Sequence, residues 1–239
     1  MLGSDEVAVY FARPEALADR DVRAEALAAL TPEERARLDR FRFDRDRDVA
    51  LASLALQRRA LSRCAPVAPS AWRFAPTRHG RPEIVWPAHG PGRVIRFNVA
   101  NTHGLVACAV TIGRELGIDV EPWRADAPTD VVDSHFAPVE RAALWALPTG
   151  DHARRFIELW TLKEAYIKAR GLGLAIPLDR FSFDLAAGVP RLAIDPELAD
   201  DATTWQVASW SPTPQHCAAL CVRRHDEPAF TIDPRWDLG

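Results

Sequence analysis

The 239-residue chain has no apolar run approaching the roughly 20 residues that a bilayer-spanning helix requires. Its first ten residues carry Asp5 and Glu6 and lack the basic start and apolar stretch of a secretory signal. These two absences lead to the expectation of a cytoplasmic protein that does not enter a membrane. Charge of one sign is also missing. With 30 basic and 33 acidic residues the net charge is −3, which argues against a general nucleic-acid binder and leaves room for a local basic patch. Cysteine is scarce: Cys64, Cys108, Cys217 and Cys221 each sit among apolar neighbours and read as small buried hydrophobes. Cys217 and Cys221, taken with His216 and His225, do not have the ligand spacing of a zinc site. There is no low-complexity tract and no repeat. What is plentiful is apolar content, 48%, enough to fill one large or two small domains.

Alternation over Glu6 to Phe11 predicts a first strand. Thr31-Pro32-Glu33-Glu34 has the form of a helix start, with Thr31 as cap, Pro32 in the first turn and Glu34 closing a capping box. The helix continues, with a break near Phe43, to about Ser62. Pro and Gly cluster at residues 75–92 as loops or hairpin connections. Short apolar runs at Ile84–Trp86, Val94–Asn98, Leu105–Thr111 and Ile118–Glu121 read as strands. Helix is predicted again over Pro138–Ala146 and about Asp151–Arg170, where Gly171 and Gly173 supply the stop. Strands return at Phe181–Asp184, Trp205–Ser209 and Ala218–Val222. Strand, helix and strands thus occur twice, which predicts two α+β halves of similar build, residues 1–113 and 114–239.

Two segments carry chemistry. In Gly117-Ile118-Asp119-Val120-Glu121, residues two apart share a strand face, so Asp119 and Glu121 project together while Ile118 and Val120 point to the core. Paired carboxylates in a half-buried strand suit a hard divalent cation, although a solvated polar face has the same spacing. In Trp160-Thr161-Leu162-Lys163-Glu164-Ala165-Tyr166-Ile167-Lys168, the residues Trp160, Glu164 and Lys168 line one helix face at four-residue intervals. Leu159, Leu162, Ala165 and Ile167 remain for the core. Glu164 is either an exposed partner of Lys168 or a third carboxylate for the same cation, and spacing alone leaves open whether the segments meet. Between Arg35 and Arg63, nine arginines face four aspartates, either a solvated helix face or a receiver of phosphate. Arg81, in His79-Gly80-Arg81-Pro82, is a further phosphate candidate.

Together these segments resemble the Sfp-type 4′-phosphopantetheinyl transferases, whose paired signature is roughly G-[IV]-D-[IV]-E followed by W-x-x-K-E-[AS]-x-x-K. Both parts match without a gap. Gly171-Leu172-Gly173-Leu174, Pro177 to Ser182, Arg40-Phe41-Arg42-Phe43, Gly80-Arg81-Pro82 and Phe97 to Ala107 extend the likeness over about residues 35 to 185. The resemblance implies two pseudo-symmetric α+β halves packed as an internal pseudo-dimer, with coenzyme A in the cleft between them. It implies Mg²⁺, or Mn²⁺, on Asp119, Glu121 and Glu164, with Lys163 and Lys168 against the pyrophosphate and Arg47 and Arg81 near the 3′-phosphate end. One departure stands out. Asn101 occupies the position where many members carry histidine, with His103 two residues on. Asparagine can donate a hydrogen bond but cannot become cationic, so a weaker phosphate contact is expected there.

The reaction so implied is attack of a carrier-protein serine on the β-phosphate of coenzyme A, with Lys168 at the leaving phosphate and Glu164 as base. The implied partner is an apo acyl or peptidyl carrier protein and the implied state a monomer. Trp123, Phe136 and Trp145 offer apolar contacts to that partner, or core packing. Two rivals of other classes remain on sequence grounds, a coenzyme A-binding module without catalysis and a metal-dependent phosphohydrolase.

Overall fold

The computed structural model describes residues 2–3, 5–86, 94–224 and 229–238. The chain divides into two units, Met1–Arg114 with Phe230–Gly239, and Glu115–Ala229. Residues 87–92 of the expected loop region, and His225, lie outside the described residues. The first unit starts with strand β1 (Glu6–Ala12), followed by helices α1 (Arg20–Ala28), α2 (Pro32–Leu38) and α3 (Asp44–Cys64). A hairpin of β2 (Arg73–Pro76) and β3 (Pro82–Trp86) leads to β4 (Ile95–Thr102) and β5 (Leu105–Ile112). The second unit runs through β6 (Leu116–Pro122), α4 (Val132–His135), α5 (Pro138–Trp145) and α6 (His152–Arg170). It continues with the hairpin β7 (Phe181–Asp184) and β8 (Arg191–Ile194), then β9 (Trp205–Thr213) and β10 (His216–Arg223). A last strand, β11 (Thr231–Leu238), returns to the first unit.

Local chemistry explains the helix boundaries. The Thr31 hydroxyl accepts from Glu34 N at 3.3 Å, and the Glu34 carboxylate accepts from Thr31 N at 2.9 Å, the reciprocal pair that opens α2. The expected break near Phe43 falls at residues 39–43, where Arg47 reaches back to Leu38 O (3.3 Å) and Phe41 O (3.0 Å). Gly171 closes α6 with φ of 65°, a conformation that a Cβ disfavours.

In the first unit the strand order is β11-β1-β5-β4, with α3 laid across the sheet. Alternate residues Ala8, Tyr10 and Ala12 of β1 and Val106, Cys108 and Val110 of β5 join Leu51, Ala55 and Leu56 of α3 in one core. In the second unit the order is β6-β10-β9, and α6 crosses β6 and β10. All four cysteines are free and buried.

The expected division of the chain needs one correction. Residues 230–239 belong to the first unit, because β11 pairs in parallel with β1. Pro234 and the acidic Asp233 and Asp237 hide this strand in the sequence. Proline is tolerated because β11 is the edge of its sheet. The Asp237 side chain is fully buried and held by Arg59 Nε (2.7 Å) and Arg63 Nε (3.0 Å) of α3. Helix α1 also escaped the apolar pattern, although Asp19 caps it by accepting from Asp21 N and Val22 N.

At Gly117 the strand approaches the helix backbone to backbone. A Cβ placed on Gly117 would lie 2.1 Å from Ala165 O and 2.3 Å from Ala169 N. Strand β6 therefore presses directly on α6, and no side-chain rotation can relieve an added methyl. Gly117→Ala is expected to lower unfolding stability by about 2–4 kcal/mol, read by urea denaturation. A variant as stable as the parent would contradict that contact.

Candidate functional site

Gly117, Asp119 and Glu121 alternate along one face of β6. Their cross-strand neighbours on β10 are Cys221, Ala219 and Cys217, which belong to the core beneath α6. The carboxylates therefore lie on the helix-covered side of the sheet. Ile118 and Val120 fill the opposite face and are buried as expected. The sequence left a solvated strand face open as an alternative, and the burial of Asp119, which is 5% exposed, rules it out for this residue.

Helix α6 brings Trp160, Glu164 and Lys168 to these strand residues. Lys168 Nζ sits 2.5 Å from Asp119 Oδ1. The Trp160 side chain lies near enough to the Glu121 carboxylate to favour its ionised form. Glu164 lies near enough to both strand acids for its charge to disfavour their ionisation. Burial pushes the Asp119 carboxyl up to about 7; the neighbouring Lys168 opposes the shift, and Glu121 and Glu164 add to it. Burial likewise raises Glu121, against the pull of Arg124, Lys168 and Trp160.

The other oxygen of Asp119, Oδ2, is buried without a hydrogen-bond partner. Native interiors rarely leave such an atom unsatisfied unless a functional group or ion uses it. Among the described residues, no three His, Cys, Asp or Glu side chains are gathered closely enough to hold an ion as they stand. The positive charge at Asp119 comes from Lys168 instead. An orphaned carboxylate oxygen amid like charges is nevertheless the donor chemistry that a hard divalent cation takes, so the residues fit such an ion.

Lys163 requires a correction. The resemblance put it against the pyrophosphate, but it is fully buried and paired with Glu140 at 2.7 Å. Its ammonium also donates to Leu178 O (2.8 Å) and Phe181 O (2.7 Å), which uses all three protons. Adjacent helix residues point about 100° apart, so Lys163 cannot share the face of Glu164. Glu140 in turn accepts from Ala137 N (2.9 Å) and Phe183 N (2.8 Å), tying together α5, α6 and β7. Burial moves both partners toward neutrality, Lys163 downward and Glu140 upward, while their mutual attraction opposes it. Glu140 escaped the sequence reading, although its place three residues after Ala137 at the start of α5 is a capping signal.

The remaining expected phosphate contacts lie in the first unit. Arg47 is turned toward its own chain, on Leu38 O, Phe41 O and Asp44. Arg81 donates to Phe97 O at 3.0 Å. Of the other arginines, Arg58 forms a buried pair with Glu34 at 2.8 Å, and Arg59 and Arg63 hold Asp237. Asn101 lines a groove of about 880 Å³ together with His103, Arg37, Arg45, Phe41 and Leu54. Its lining is mainly apolar, with Arg37, Arg45 and Asp46 as the charged side chains.

Replacing Lys163 tests whether it is a structural clip. Lys163→Met leaves the buried Glu140 carboxylate unpaired and is expected to cost about 3–5 kcal/mol of stability in urea denaturation. Unchanged stability with a raised KM for coenzyme A would instead assign Lys163 to the substrate.

Comparison with known proteins identifies the family. Residues 19–112 match the family described as "4′-phosphopantetheinyl transferase, N-terminal", and residues 115–221 match the "4′-phosphopantetheinyl transferase superfamily". The chain is 30% identical over 217 residues to a phosphopantetheinyl transferase of Thraustochytrium sp., covering 85% of this chain and 73% of that protein. It is 27% identical over 222 residues to the 4′-phosphopantetheinyl transferase Sfp of Bacillus subtilis, covering 92% of each. A Chronobacterium ammoniagenes ACPS–CoA complex overlaps 47% of this chain and 98% of its own with a TM-score of 0.36 and 18% identity. The chain belongs to the Sfp-type 4′-phosphopantetheinyl transferase family.

Proposed function

We propose that this chain transfers the 4′-phosphopantetheine arm of coenzyme A to a serine hydroxyl of an apo carrier protein, with Mg²⁺ held by Asp119, Glu121 and Glu164. The observation that carries the metal assignment is the buried, unpartnered Asp119 Oδ2 beside two further acid side chains. Bound there, the ion would draw off the negative charge that develops on the pyrophosphate oxygens. The protein's own side chains supply the rest. Glu164 takes the serine proton as the Oγ–phosphorus bond forms. The bond from the β-phosphorus to the bridging oxygen breaks, and adenosine 3′,5′-bisphosphate leaves. Lys168, whose ammonium already lies in the acid cluster, stabilises that leaving phosphate.

A groove in the first unit is the candidate surface for the nucleotide of coenzyme A. Its mainly apolar lining, with Phe41 and Leu54, suits an adenine ring, and Arg37 and Arg45 suit a phosphate. Asn101 and His103 line the same groove, where Asn101 can offer a hydrogen bond but not the charge of an imidazolium. Arg81, which donates to Phe97 O on β4, is assigned to the 3′-phosphate on the family likeness alone. For the carrier, Trp145 at 43% exposure is the available aromatic contact of the three considered, because Phe136 is buried and Trp123 is covered by Arg154 at 4.2 Å. Among the described residues no helix is long and apolar enough to cross a membrane.

The decisive assay mixes the purified chain with coenzyme A, Mg²⁺ and an apo carrier protein. Gain of the phosphopantetheine mass by the carrier is the expected result. Free phosphopantetheine without carrier modification would indicate a hydrolase, and neither product would indicate a binding module.

Asp119→Asn is expected to lose transfer by about a thousandfold without losing stability. The folded state binds the Asp119 proton more tightly than the unfolded chain does, so stability falls as pH rises from about 4 to about 7. Asparagine carries no such charge. The variant should therefore melt no lower than the parent at pH 8, and any advantage should vanish as pH falls toward 4. A variant melting well below the parent at pH 8 would contradict the burial of an ionised Asp119.

A further inference from the structure

We propose that Lys168 is an internal counter-ion of Asp119 that a divalent cation displaces on binding. The inference rests on the metal reading above and adds to it the exchange of one cation for another at a single carboxylate. Of the 30 lysine and arginine residues in the chain, Lys163 and Lys168 alone are lysine, and both lie on α6. They are held in opposite ways. Lys163 is fully buried, and Glu140, Leu178 O and Phe181 O take its three protons, so it has no second position. Lys168 has a side chain 29% exposed, and its ammonium sits 2.5 Å from Asp119 Oδ1. Its flexible four-carbon stem can leave that contact without disturbing the helix.

The pairing uses half of the carboxylate. Asp119 is 5% exposed, and its Oδ2 is buried without a partner although Oδ1 is taken. A guanidinium commonly spans both oxygens of a carboxylate, whereas an ammonium is a point charge that engages one. Lysine therefore neutralises Asp119 and leaves the second oxygen bare. A hard divalent ion suits that oxygen, with the charges of Glu121 and Glu164 beside it. An ammonium and a divalent ion on one buried carboxylate repel each other, because the surroundings screen them little. The singly charged group, on a mobile stem and partly in solvent, is the one that gives way. Lys168 is then available to the leaving phosphate it serves in the reaction above.

Amine acetylation of the full chain, without coenzyme A or carrier, reads this exchange by peptide mass spectrometry. A protonated ammonium held on a carboxylate does not attack the reagent, and modification of the sealed Lys163 reports any unfolded fraction. Mn²⁺ binding is followed in the same samples by loss of the free-ion paramagnetic resonance signal. Saturating Mn²⁺ is expected to speed acetylation of Lys168 by about tenfold or more, the factor set by release from one charge-assisted hydrogen bond. In Asp119→Asn, Lys168 is expected to react at the fast rate with or without Mn²⁺. Bound Mn²⁺ with no change at Lys168, or an acceleration by Mn²⁺ that persists in Asp119→Asn, overturns the proposal and leaves the metal reading intact. A parent chain that binds no Mn²⁺ overturns both.

Discussion

The second unit depends on the contact of a strand backbone with a helix backbone at Gly117. No side chain separates β6 from α6 there. The next residues on the same strand face, Asp119 and Glu121, are therefore carried in beneath the helix. The helix in turn presents Trp160, Glu164 and Lys168 from successive turns of one face. A glycine and two four-residue intervals thus place acids, amine and indole together before any ligand is considered. The arrangement does not favour stability: Asp119 is ionised in the fold only against the penalty of burial, and one of its oxygens has no partner. Groups held in this way are characteristic of functional sites.

Much of this was legible in the residues. The Thr31–Glu34 capping box, the break before Asp44 and the stop at Gly171 follow from local chemistry that tertiary packing does not override. The spacing of Gly117, Asp119 and Glu121 gave their common face, and the spacing on α6 gave another. What spacing could not give was rotation of each element about its axis. Lys163 and Lys168 look equivalent as cations in a sequence, yet they lie about 140° apart around the helix. One is sealed against Glu140 and the other reaches Asp119.

The arginine-rich segment teaches the same lesson in the first unit. Arg47, Arg58, Arg59 and Arg63 all find partners within their own unit, in a turn, a buried ion pair and a clasp on β11. Their charges are absorbed by contacts distant in sequence, up to Asp237 at the end of the chain. β11 itself was invisible because an edge strand tolerates proline and charge that would exclude it from a sheet interior. The arginines that line the groove, Arg37 and Arg45, are not distinguished from the others by any local pattern.

Anomalous diffraction from crystals of the chain soaked in Mn²⁺ tests the central claim most directly. The account predicts a single strong peak within about 2.3 Å of carboxylate oxygens from Asp119, Glu121 and Glu164. A peak held by other residues, or none near Asp119 while Lys168 remains on its carboxylate, would contradict it.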